Sequence, residues 1–423
     1  MSLLAPIPRL LGGSLCIASL LPGLAFADFT EDSHLALETR NFYMNRDYRD
    51  AGRPDTPRHD GDSQSKAEEW TQGFLLRFSS GFTEGPLGFG VDALGLTGIK
   101  LDSGAGTSGT GALRRNPKTG EPADEYSFLG LTAKARLSRT TFTVGDHEPV
   151  LPVVVRNDTR LLPQTYRGAQ VVSKEIDGLM LIGGRFDAMH QRDSSDYEDI
   201  TMFADGSHGG VASDRFTYAG ASYAALPNLQ LTAYHAELQD NYRQAIADLV
   251  YTLPLGETAK LKADLRYFDS DSEGRTDVDN RFRGAMLSYL QGGHGLSLAY
   301  QGQSGRTGLP FLSVADPWAF NNGTYFHFVR AEEDTWQLRY DYDFSAAGLP
   351  GLTLMARYIR GDDFQVGGQA AREWERDVDL GYVIQSSSLK GLGLRWRNAT
   401  YRGSDTTGID ENRVLLTYTF KFW

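Results

Sequence analysis

Residues 392–423, LGLRWRNATYRGSDTTGIDENRVLLTYTFKFW, decide the fold. Leu392, Leu394 and Trp396 alternate with Arg395 and Arg397. After a polar break, Leu416, Tyr418, Phe420 and Phe422 alternate with polar residues up to Trp423. A period of two marks strands with two unlike faces. Here one face is aliphatic and aromatic, and the other carries arginines. A soluble sandwich would turn the greasy face to a core and the arginines to bulk water. A transmembrane barrel would turn the greasy face to lipid and the arginines to a lumen.

The remainder of the chain chooses between these. Residues 1–27 read as a secretory signal: Arg9 is the positive start, Leu10 to Leu24 is apolar, and Ala25-Phe26-Ala27 fits a small-x-small cleavage site. The run is too short for a membrane helix and is broken by Pro22. The single cysteine, Cys16, lies inside this segment, and Gly13, Ser14 and Leu15 fit a lipoprotein signal poorly. A mature chain 28–423 therefore has no disulfide, thiol nucleophile or cysteine metal site. It has no apolar run near the roughly 20 residues of a spanning helix, so a closed barrel is the remaining membrane route. A net charge of −12 argues against nucleic acid as a partner. It is compatible with acids on outer loops and arginines inside.

Eight short turn signals recur, at Gly81–Pro86, Ser138–Thr140, Glu175–Gly178, Leu226–Asn228, Pro254–Thr258, Gln291–Gly295, Ser345–Gly351 and Ser387–Gly391. Between them lie nine longer polar stretches, at 45–69, 100–125, 147–168, 188–214, 239–243, 269–281, 304–334, 361–375 and 402–411. These connections imply eighteen strands of about 9–11 residues, with both termini on the short-turn side. Alternation supports the count. Trp336, Leu338, Tyr340, Tyr342 and Phe344 oppose Gln337, Arg339, Asp341 and Asp343, and Leu261, Ala263, Leu265 and Tyr267 oppose Lys260, Lys262, Asp264 and Arg266. Trp70, Trp336, Trp374 and Trp423 stand near strand ends, where an aromatic girdle belongs. A soluble sandwich would instead expose some eighteen polar faces rich in Arg and Asp. The fold expected is an all-β transmembrane antiparallel barrel with short periplasmic turns and long extracellular loops.

If lipid lies outside, parity gives the lumen. Glu38 and Arg40 face inward from the first strand, Arg395 and Arg397 from the seventeenth, and Arg413 and Lys421 from the last. Closure sets these on neighbouring staves, with Arg413 near the outer mouth, Arg397 at the middle, Arg395 lower and Lys421 at the inner exit; Arg357 flanks them. Staggered guanidiniums suit a migrating carboxylate, because each presents a fork to both oxygens. Lumenal water keeps each contact weak enough to release. The bland alternative is that these arginines pair with lumen acids and keep the barrel wet. The third long loop contains three prolines and an apolar run, Val153–Val155 and Leu161–Leu162, that would be sticky in water. Folded into the barrel, it would pack those residues on the wall and narrow the pore with Arg156, Asp158 and Arg160.

Arg40–Arg49 (RNFYMNRDYR), Gly88–Gly98 (GFGVDALGLTG), Asn157–Gly168 and Arg339–Phe344 resemble the OprD family of outer-membrane porins, the carboxylate channels of pseudomonads. The resemblance covers essentially the whole mature chain. It implies an eighteen-stranded barrel in the outer membrane of a Gram-negative bacterium, constricted by inward-folded third and seventh loops. It also implies a basic ladder at Arg40, Arg49, Arg395, Arg397 and Arg402, and a constriction motif at Asp158 and Arg160. The seventh loop departs most from the family, with a Thr-Tyr-Phe-His-Phe-Val-Arg run inside Asp316–Glu333.

Three motifs are declined. Gly104–Gly109 matches a dinucleotide fingerprint in letters, but Arg114-Arg115-Asn116-Pro117 follows where a helix is required. Asp146-His147-Glu148 are consecutive on extended chain, so their side chains diverge. Nothing resembles a nucleophile elbow. The reading is a channel with no catalytic residue, metal or cofactor, passing small anionic solutes, cyclic or aromatic acids in particular. Its expected partners are outer-membrane lipid, lipopolysaccharide and the barrel-assembly machinery, and it is expected to be a monomer or weak trimer. One alternative is a channel for basic amino acids, with Asp158 and Asp316 taking the ammonium end. Another is a plugged surface barrel for adhesion or scaffolding.

Overall fold

The computed structural model describes residues 27–50, 58–59, 62–204 and 207–423. The expected signal segment lies outside them, apart from Ala27. A short helix, Ala27–Glu31, leads into the first strand.

The barrel strands are β1 (His34–Tyr48), β2 (Lys66–Ser79), β3 (Leu87–Asp102), β4 (Glu125–Leu137), β5 (Thr140–His147) and β6 (Thr165–Ser173). They continue with β7 (Leu179–His190), β8 (Phe216–Leu226), β9 (Leu229–Leu238), β10 (Tyr242–Leu255), β11 (Ala259–Ser272) and β12 (Asp279–Gln291). The last are β13 (His294–Ser304), β14 (Asp334–Asp343), β15 (Leu352–Val366), β16 (Gln369–Val383), β17 (Gly393–Gly403) and β18 (Ile409–Lys421). Each pairs antiparallel with its neighbours in sequence, and β18 closes on β1 from Ala36↔Lys421 to Tyr48↔Ile409. This closed ring of eighteen strands leaves no open edge, so every ladder group is satisfied inside the bilayer. Where the alternation predicts strands of 9–11 residues, the observed lengths run from 8 to 16.

The alternation sorts lipid from lumen. On β4, Leu129, Leu131 and Leu137 face outward and stand 55–66% exposed, while Tyr126, Phe128 and Thr132, of the opposite parity, are buried inside. The eight short connections lie on one side. Two connections expected to be long are tight. Residues 239–241 close β9 to β10, and Gly367-Gly368, both at positive φ, close β15 to β16. Two successive left-handed residues match the twist of a hairpin, and glycine adopts them without strain.

Loops fold inward and give the lumen its own apolar packing. Val153 and Val154 of the third outer loop (148–164) join Tyr166, Phe186, Phe216 and the Phe311–Leu312 segment of the seventh (305–333) in one cluster. Leu161 and Leu162 pack on Phe42, Met44, Leu75 and Leu96 of β1–β3. Gly73 on β2 makes that docking possible, since a Cβ there would stand 2.9 Å from Leu161. The two loops also join through backbone, Asp316 N to Val155 O at 2.9 Å.

Candidate functional site: the lumenal constriction

Where the inward loops meet β14–β18, a cavity of about 400 Å³ is lined by Arg160, Arg192, Arg339, Arg357, Arg395, Arg397 and Arg413. Two lining carboxylates, Asp316 and Asp379, oppose these seven guanidiniums. A larger space of about 760 Å³ lies beneath, reaching the turns at Gly256–Thr258 and Gly292–Gly293. Both spaces are lined by Arg339, Met355, Asp379 and Arg395, so these residues form the junction between the constriction and the lower vestibule.

The wall residues differ in what they can offer a solute. Arg395 binds Asp379 through Nε at 2.7 Å and Nη2 at 2.6 Å, and Arg397 binds the same carboxylate through Nε at 2.6 Å. Their side chains remain 49% and 28% exposed to the lumen. Arg413 is buried and structural: it binds Glu411, donates to Thr159 O at 3.1 Å in the third loop, and donates to Thr324 O at 2.7 Å in the seventh. It stands level with Arg397 in register, so it is not a separate rung nearer the mouth. Arg40 is also buried, between Glu38 at 2.7 Å and Asp158 at 2.6 Å. Arg357 is held by Asp377 at 2.6 Å. Lys421 shares the inward parity at the periplasmic end of β18, opposite Ala36.

Three expected residues lie elsewhere. Arg402 faces outward, next to buried, inward-facing Tyr401, and pairs with Asp410 at 3.1 Å. Arg49 follows β1 and joins the same Asp410, 55% exposed. Both have the opposite parity to Arg395, Arg397 and Arg40, which places them on the outer rim rather than in the channel. Arg156 turns to Glu148 at the foot of its own loop, 3.2 Å away, and does not line the constriction. Within the declined triplet, Asp146 accepts from Tyr197 Oη, His147 meets Thr143 Oγ1 and Glu148 meets Arg77, so the three side chains diverge.

Arg160 and Arg192 are held by neutral oxygens. Arg160 Nε donates to Thr110 O at 2.8 Å, and Arg192 donates to Gly111 O at 3.2 Å and Asn157 Oδ1 at 2.7 Å. Burial lowers the proton affinity of the Arg160 guanidinium, and Arg413 and Arg192 lower it further. Burial raises the Asp316 carboxyl against the opposing pull of Arg192, Arg160 and Arg413.

Two features escape the sequence reading. Arg192 sits in the fourth outer loop (191–215), where no periodicity marks it. The other is a column of inward carboxylates on β16, Glu373, Glu375, Asp377 and Asp379, all buried. Glu375 accepts from Tyr325 N at 2.8 Å and Phe326 N at 2.9 Å, and Asp377 from Thr324 N at 3.2 Å, which fastens the seventh loop. The alternating acids of EWERDVD were visible, but assigning 361–375 to a loop divided them.

Comparison with known proteins agrees with this geometry. The family model for outer membrane porins of the OprD family matches residues 27–422. The porin-like protein GalP of Pseudomonas putida is 38% identical over 95% of both chains. Among solved structures, Pseudomonas aeruginosa OccK9 (OpdG) superposes with a TM-score of 0.87 at 43% identity, covering 93% of this chain and 100% of that one. OpdK of the same organism, solved with vanillate, gives 0.85 at 37% over the same shares. A closed eighteen-stranded barrel with a loop-constricted lumen, matched along nearly its whole length, makes this chain a member of the OprD family of outer-membrane porins, a channel rather than an enzyme, in the outer membrane of a Gram-negative bacterium.

Proposed function

We propose that the pore passes small carboxylates, cyclic or aromatic acids in particular, by diffusion along the Arg397–Arg395 wall. The observation that carries this reading is the lining of the constriction, seven arginines and two aspartates, of which Arg357, Arg413 and Arg339 are paired with Asp377, Glu411 and Asp341 while Arg160 and Arg192 are held only by neutral oxygens. Arg160 and Arg192 meet an entering anion without carboxylate partners of their own among the described residues. Below them, Arg397 and Arg395 offer lumen-facing forks already bound to a carboxylate, that of Asp379. A permeant acid can therefore exchange with Asp379 without leaving a guanidinium bare. That a relative was solved with vanillate, an aromatic carboxylate, supports the same class.

A channel for basic amino acids would need free acids. Asp158 is held by Arg40, and Asp316 lies among Arg160, Arg192 and Arg413. In this reading Arg40 and Arg413 brace the third loop, and Lys421 guides solute at the inner exit. The chain is exported with residues 1–27 removed and is inserted by the assembly machinery as a monomer or weak trimer.

The test is uptake into proteoliposomes of benzoate-type acids, a dicarboxylate, arginine and a neutral sugar. The Arg395→Gln/Arg397→Gln variant should lose most aromatic-acid flux and keep sugar flux. Equal loss of both would mean a damaged barrel, and preference for arginine would move selectivity to the acids. No uptake of any solute would return the plugged barrel.

A further inference from the structure

The outer face of β15–β17 gathers four arginines, Arg360, Arg372, Arg376 and Arg402, around two aromatic rings. Above the apolar band, Arg360, Arg372 and Arg402 surround a cleft of about 470 Å³ floored by Tyr358 and Trp374; the one carboxylate in its lining, Glu373, is buried and engaged by Tyr401 and Arg330 on the lumen side. The two rings stack with centroids 5.8 Å apart. Arg360 shares its charge with Asp362 at 2.7 Å and Arg402 with Asp410. Arg372 has no carboxylate partner among the described residues. Arg376, one outward position below Trp374, donates only to neutral oxygens, Asn398 Oδ1 at 3.1 Å and Thr400 Oγ1 at 3.0 Å. A charge facing lipid costs roughly 2–4 kcal/mol at the bilayer midplane and about 0–1 near the interface. Arg372 and Arg376 are two such cations on one strand, and an anion standing over them would offset that cost. Down β16 the outward positions run Arg372, Trp374, Arg376, Val378 and Leu380, with Arg360 and Arg402 level with Trp374 and Tyr358 level with Arg376, so cations and rings share one band above the aliphatic side chains. This arrangement matches a lipid whose phosphate lies at the interface and whose acyl chains descend alongside Val378, Leu380 and Tyr382.

We propose that this face of β15–β17 is a binding site for a phosphorylated glycolipid of the outer leaflet, its phosphomonoester held by Arg360 and Arg372 with Arg376 reaching up from below. The aromatic pair packs under the sugar and the first acyl segments. Bidentate guanidinium contacts favour a doubly charged phosphate over a single carboxylate.

The test uses the full barrel in nanodiscs and two probes, a bisphosphorylated lipid A-type glycolipid and its phosphatase-treated form. Retention is read by native mass spectrometry after delipidation. The wild type should retain the phosphorylated lipid at least about tenfold better than the dephosphorylated one. Arg360→Gln/Arg372→Gln/Arg376→Gln should abolish that difference, while Arg281→Gln/Arg283→Gln on β12 should preserve it. Heat-modifiable migration reports whether each variant is a closed barrel, and Arg372→Gln alone serves if the triple variant fails to fold. Equal retention of both lipids by the wild type, or an undiminished preference in a folded Arg372→Gln, would overturn the site. Displacement of the lipid by inorganic phosphate alone would overturn its assignment to a lipid and leave a free-anion site.

Discussion

Replacing Asp379 by Asn should strengthen the anion selectivity of the pore, although it removes two of its best salt bridges. Asp379 is the shared partner of Arg395 and Arg397 and stands at the junction of the constriction with the lower vestibule. Asparagine keeps the shape and one acceptor oxygen but deletes the charge that competes with a permeant carboxylate. A unit charge about 4 Å away in water is worth about 1 kcal/mol. Because about 1.4 kcal/mol is tenfold in affinity, the half-saturating concentration of a small carboxylate should fall roughly fivefold. The reversal potential under a salt gradient should shift toward the anion. Planar-bilayer recordings must be made near 0.1 M salt, because at 1 M the screening length of about 3 Å would hide the effect. Unchanged selectivity and half-saturation in a folded Asp379→Asn barrel would show that permeant anions never contact this pair, and the exchange argument would fail.

The third loop is held by apolar contact, so Leu161→Ala/Leu162→Ala should cost about 2–5 kcal/mol of docking energy for each fully buried side chain. Single-channel conductance should rise while the barrel remains heat-modifiable, and an unchanged conductance would show that this loop does not limit the pore. Glu375→Gln leaves one oxygen to serve two backbone N–H groups, at a cost of about 1–3 kcal/mol for the orphan. Fast current fluctuations from a loosened seventh loop should follow; a quiet trace would place the loop's anchor elsewhere. Burial raises the Asp316 carboxyl, so on acidification from neutral it takes up its proton and loses its charge before exposed aspartates do. The cavity becomes more positive as pH falls, so the anion-to-cation permeability ratio should climb ahead of ordinary carboxylate titration. Asp316→Asn should remove that early rise, and its persistence in the variant would exclude Asp316 as the source.

The strand ladder was legible because lipid on one side and water on the other impose period two on every stave. The same rule bears on two of the expected ladder residues. Arg402 lies an odd number of positions from Arg397, and Arg49 an odd number from Arg40, so a regular strand cannot show both members of either pair to the lumen. Family likeness suggested them, and alternation alone excludes them. The acids of β16 were hidden by composition, since Gly, Gln and charge around 365–375 look like a loop whether the connection is long or a two-residue glycine turn. Arg156 and Arg192 were beyond reach for another reason. An inward-folded loop has no periodicity, and the direction of its side chains is fixed only by the wall it meets.

The clamp on the third loop ties the pore's narrowness to its completion. Arg40 comes from the first strand and Arg413 from the last, and the two hold adjacent residues of the same loop, Asp158 and Thr159. These grips come from opposite ends of the chain and meet only at the seam where β1 joins β18. A nascent barrel with its seam still apart has one grip without the other, and its loop is not yet fixed across the opening. The seam that closes the hoop is thus also where the loop that narrows the pore is gripped from both ends of the chain.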